Sequence, residues 1–98
     1  MKYELCKKLK IAGFPLIDKV GYAYDEEKKL TSFEISWTGD FDENWIYIPT
    51  LSELIEVCGD KFEKLVKSQG INPWVAHGLF IDEGGYSPEE SVANLWLK

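Results

Sequence analysis

Cysteine, histidine and methionine are scarce in this sequence, at two, one and one in 98 residues. The two cysteines, Cys6 and Cys58, are too few for a disulfide-stapled scaffold or a cysteine-rich zinc module. Both fall on the apolar side of predicted helices, where a thiol behaves as a small hydrophobe. They are read as reduced core thiols of a cytosolic protein. The single histidine, His77, leaves a zinc site short of ligands, because such a site takes three or four protein groups acting together. No spacing pairs His77 with a nucleophilic Ser, Cys or Thr and an orienting acid. No apolar run approaches the roughly 20 residues of a membrane-spanning helix. The opening MKYELCKKLK breaks its apolar residues with Lys and Glu, unlike the apolar core of a secretory signal. The expectation is a cytoplasmic protein with no cofactor and no membrane association.

Positive charge is also in short supply. Lys plus Arg is 11 against 17 for Asp plus Glu, a formal net charge of -6. A duplex-binding module draws its affinity from Lys and Arg on phosphates, so this balance argues against a nucleic-acid ligand. Lys7, Lys8 and Lys10 form the densest basic patch, and their spacing is that of the wet side of a helix. An acidic surface could instead imitate phosphates and inhibit a host nucleic-acid enzyme. The modest net charge and interspersed lysines make that the second reading rather than the first.

What the chain does have is apolar and aromatic residues, at 45% and 14%. That composition belongs to a folded domain rather than a disordered tail. The length suits one domain over residues 1–98, and no repeat, low-complexity stretch or composition break marks a linker. From Lys2 to Ala12, Leu5, Cys6 and Leu9 follow helical spacing, with Gly13 and Pro15 as stop signals. From Val20 to Ile48 the period changes to that of strands. Val20, Tyr22 and Tyr24 lead into DEEKK, then Leu30, Phe33, Ile35 and Trp37 follow, and Trp45 to Ile48 after TGDFDEN. The short connections point to an antiparallel meander.

Thr50 and Glu53 form a capping box ahead of the stripe Leu51, Leu54, Ile55 and Cys58. Beyond Gly59 the pattern admits two outcomes. Phe62, Leu65 and Val66 continue a helix to Lys67, or residues 62–66 pair with 74–80 as a hairpin across SQGINP; the hairpin is preferred. Ser87-Pro88-Glu89-Glu90 then starts a final helix with Val92, Leu95 and Trp96 facing the core. The sum is an α+β fold: an antiparallel sheet of about 4–5 strands with two or three helices packed mainly on one face.

Three strings also resemble a known pattern: KKLKIAGFP at residues 7–15, YIPTLSELIEVCGD at 47–60 and SPEESVANLWLK at 87–98. They resemble a family of small proteins encoded by bacteriophages and prophages. That family combines a helix ending AGFP, a YIPTLSELIEACG-like stretch, a Trp-Val-Ala strand and a TPEEAVANLWL-like terminal helix. Val57 stands here where the pattern has Ala, and Ser87 where Thr is usual. The resemblance implies a phage or prophage origin and a bacterial cytoplasmic setting. It brings no activity and no catalytic residues.

Candidate chemistry is thin. Asp40, Asp42 and Asn44 mimic the opening of a calcium loop, but Trp45 stands where Gly is needed and Leu51 where the bidentate Glu belongs. Asp82-Glu83-Gly84-Gly85 lacks a phosphate-loop pattern and reads as the connection into the last helix. A small hydrolase or metal-dependent enzyme, built on His77 or several acids, is the third reading. The aromatic surplus is more informative. Trp37, Trp45, Trp74, Trp96, Tyr22, Tyr24, Tyr47 and Tyr86 exceed what a core of this size easily hides. They either pack on both faces of the sheet or leave a patch for a partner. Trp37, Trp45, Tyr47, Trp74 and Tyr86 are the candidates for such a surface. The leading expectation is a non-catalytic protein-interaction or dimerising domain whose partner is another protein or a second copy.

Overall fold

The structure is a computed structural model that describes residues 1–16, 20–35, 41–71 and 73–98. Its elements are α1 (Tyr3–Ile11), β1 (Val20–Tyr24), β2 (Leu30–Glu34), β3 (Ile46–Ile48), α2 (Leu51–Cys58), a 3₁₀ turn (Gly59–Lys61), β4 (Phe62–Lys67), β5 (Trp74–Gly78), β6 (Asp82–Gly85) and α3 (Pro88–Leu97). They fall into two compact units, Met1–Pro49 and Thr50–Lys98. The class is α+β with antiparallel pairing throughout. The expected single sheet of 4–5 strands is corrected to two sheets of three strands each among the described residues. No helix of the described residues is long and apolar enough to cross a membrane.

In the first unit, α1 ends as its sequence requires. Gly13 takes φ 90, its N–H donates to Lys10 O (3.0 Å), and Phe14 N–H donates to Leu9 O (2.9 Å). This is the paired closure that a left-handed glycine permits at a helix end. Cys6 and Leu9 are buried, and α1 packs on β3. The DEEKK turn is held by Asp25, whose carboxylate accepts from the N–H groups of Glu27 and Lys29, both at 2.9 Å.

The strand order is β2-β1-β3, so β1 is central and the expected meander order is corrected. A hairpin loop of two to five residues forces neighbouring strands to pair, and the connection over residues 35–45 is longer than that. The partner of β3 is then decided by burial. Ala23, with no exposure at all, sits opposite Thr31 on one side and Tyr47 on the other.

The thiol in this core provides a pH test. Burial pushes Cys6 from an ordinary value of 9.0 up to about 11, with the N-terminal ammonium opposing the shift. Burial also raises Tyr24 and Cys58. A folded-state value above the unfolded one means that the native state holds the proton more tightly. The associated stability is fully present below pH 9 and is lost as pH rises through about 11, by an amount on the order of 2 kcal/mol for Cys6. Urea unfolding of wild type and Cys6→Ala across that range measures it. The alkaline loss should be visibly smaller in the variant, and identical slopes would contradict the assignment.

In the second unit, Thr50 Oγ1 accepts from Glu53 N–H (3.3 Å) while Glu53 Oε1 accepts from Thr50 N–H (2.9 Å), completing the anticipated box. The helix stops at Gly59 (φ 56), and residues 62–67 leave it as β4, so the hairpin outcome is the observed one. The sheet order is β4-β5-β6. Thus the DEGG stretch is a strand, β6, and the expectation of a plain connection is corrected. Its residues pair with β5 from Gly85 opposite Trp74 to Asp82 opposite His77, and Gly85 also sets the fit of the helix above. A Cβ there would fall 2.5 Å from Ser91 N and 2.9 Å from the Glu90 carbonyl carbon. The glycine is present so that α3 can lie directly on the strand.

α3 covers β4, β5 and β6 and also packs against α2. Ser87 Oγ accepts from Glu90 N–H at 3.2 Å, and Asn94 Nδ2 donates to Gly84 O at 2.9 Å. Glu90 Oε2 accepts from Tyr86 N–H (3.1 Å), one residue before the Ser87 cap. The core of this unit is Leu54, Cys58, Ala76, Val92, Ala93 and Leu95.

Candidate functional site

The β5–β6 hairpin turns over Leu79, Phe80 and Ile81. Gly78 N–H donates to Ile81 O (2.8 Å) and closes the turn, while Leu79 N–H donates to Lys61 O (3.1 Å) and ties the tip to the 3₁₀ turn. This closeness depends on Gly78. A Cβ there would meet Ile81 O at 2.7 Å and both Lys61 O and Leu95 Cδ1 at 2.8 Å. Turn tips favour Gly, Pro, Asn, Asp and Ser, which meet their backbone and solvent requirements. This one carries three consecutive large apolar side chains, exposed by 56%, 91% and 45% for Leu79, Phe80 and Ile81.

Beside the tip lies a bowl of about 360 Å³, lined by Asp60, Lys61, Leu79, Phe80, Ile81, Leu95 and Lys98. Leu95, only 2% exposed, reaches it from α3. Asp60, Lys61 and Lys98 bring charges of both signs, and Lys98 Nζ stands 3.8 Å from Glu83 Oε1. The lining offers an incoming group apolar contact plus exposed charge. The histidine and both cysteines lie outside it.

His77 Nδ1 lies 3.0 Å from Asp82 Oδ1, its cross-strand partner, and Lys64 is the partner of His77 on the other side. Strand parity puts this row on the face opposite Ala76. An aspartate-held imidazole is part of a nucleophilic constellation, but both thiols are buried and Cys58 Sγ is directed at Val92 O (3.8 Å). Among the described residues, no group of three or more His, Cys, Asp or Glu could hold a metal ion.

The residues singled out from sequence fall in separate places. Trp37 lies outside the described residues. Trp45 and Tyr47, both half-buried, stand edge-on to Phe41 at 6.2 and 6.3 Å, and Phe33 joins the cluster 4.9 Å from Phe41. Trp74 is half-buried on β5 with Lys67 Nζ 5.8 Å from its ring centroid, and Tyr86 is 63% exposed. Trp45 and Tyr47 thus belong to the first unit, Trp74 and Tyr86 to the second.

Of the basic patch, Lys10 donates to the carbonyls of Glu43 and Trp45, a fold contact rather than a free cation. Of the calcium-like string, Asp40 lies outside the described residues, and Asp42 Oδ1 accepts from Asn44 N–H (2.9 Å) in a local turn. The Leu79–Ile81 tip was missed because its residues look like the end of a strand. The available signal was the failure to alternate. A strand with one wet face does not carry three large apolar residues in a row.

The chain matches no protein-family model, no curated protein and no solved structure.

Proposed function

We propose that this chain is a small non-catalytic protein-interaction domain, of phage or prophage origin, that works in the bacterial cytoplasm through an apolar contact. The observation that carries the reading is the Leu79-Phe80-Ile81 tip beside its bowl. Burying a phenyl ring from water stabilises a contact by roughly 2 kcal/mol, and interface hot spots concentrate on such anchors. A side chain 91% exposed contributes almost none of that to its own fold. The origin and setting rest on the resemblance of residues 7–15, 47–60 and 87–98 to phage-encoded proteins.

Selection of displayed random peptides on the immobilised protein tests this. Enriched peptides should carry one large apolar anchor and should lose binding to Phe80→Asp. Either no enrichment, or peptides that bind Phe80→Asp equally well, would overturn the reading.

A further inference from the structure

The bowl and the exposed ring belong to one patch, and that coincidence points to the occupant. We propose that the bowl is filled by Phe80 of a second copy of this chain, in a two-fold symmetric dimer. The inference rests on the interaction reading above and names its partner. A two-fold interface brings the same patch from both copies together, so it needs a surface that carries both knob and hole. Here Phe80 is the knob at 91% exposure, and the bowl of about 360 Å³ has room for one phenyl ring.

The charges favour the same occupant. A site for an acidic ligand would be rimmed by cations alone, and one for a basic ligand by acids alone. This lining carries Asp60 next to Lys61, with Lys98 nearby. Across a two-fold, Asp60 of one copy meets a lysine of the other, and the reciprocal pair forms at the same time. Exposed pairs of this kind add little affinity but fix register.

Size sets the strength. Three side chains and a rim supply well under the roughly 800 Å² per partner of a standard stable interface, so the dimer should be weak, with a Kd of about 10 to 500 μM.

Light scattering and sedimentation of the full chain across that range test the proposal. The mass should rise with concentration from 11.3 kDa towards twice that value. Phe80→Asp should weaken association at least about thirtyfold, with an unchanged circular dichroism spectrum. A second test does not touch the ring. Asp60→Lys and Lys61→Asp should each associate more weakly than wild type, whereas their equimolar mixture should associate at least as well. A wild-type chain that stays monomeric throughout would overturn the dimer. So would a dimer indifferent to Phe80→Asp, or a mixture no tighter than either variant alone. Peptides selected as above that still need Phe80 would then leave the interaction reading standing with a different partner. Failure of both experiments would remove the two together.

Discussion

Gly85→Ala is expected to destabilise the second unit by about 3 kcal/mol, at the upper end for overpacking, because the obstruction is backbone. Gly85 is buried on β6 beneath the start of α3, and the added methyl would lie 2.5 Å from Ser91 N and 2.9 Å from both the carbonyl carbon and Cβ of Glu90. A flexible side chain could rotate away, but a helix N-terminus cannot. Lifting it would strain the Ser87–Glu90 cap and the Asn94–Gly84 bond, and would draw Val92 and Leu95 off the sheet. Chemical denaturation followed by tryptophan fluorescence measures the loss. A cost below about 1 kcal/mol would mean that the strand and helix have room to separate.

The second large effect lies in the core of the same unit. Leu54 has no exposure and is among the largest fully buried side chains, so Leu54→Ala should cost about 3 kcal/mol through lost transfer energy and a residual cavity. Leu54 lies on the stripe behind the Thr50–Glu53 box, which orients the helix but cannot replace the packing. Phe80 provides the contrast. It is larger than Leu54, yet 91% of it faces solvent, so truncating it should leave folding stability almost untouched.

Much of the local structure can be read from residue patterns. The stop at Gly13, the Thr50–Glu53 box and the Ser87-Pro88 start all depend on hydrogen bonds within a few residues, and the structure contains each of them. What escaped the sequence depends on contacts far apart along the chain. Nothing local says that β3 should pair with β1, because a long connection leaves either edge open. Likewise β6 carries two glycines, which have low strand propensity, and is a strand through its long-range pairing with β5, while Gly85 leaves room for α3.

The site followed the same division. Aromatic content makes Trp37, Trp45, Tyr47, Trp74 and Tyr86 the candidates, of which Trp37 lies outside the described residues. The most exposed large hydrophobic side chain among the described residues is Phe80 in a turn, a position where sequence rules place polar residues. Local rules tend to fail where a surface serves something other than its own fold.

Unfolding free energies of Phe80→Asp and Leu54→Ala, measured side by side at a concentration too low for association, most directly separate folding from contact. Phe80→Asp should change stability by no more than about 0.5 kcal/mol, and Leu54→Ala should lose about 3 kcal/mol. A loss of comparable size in both would place Phe80 in the folded core and leave the bowl without a role.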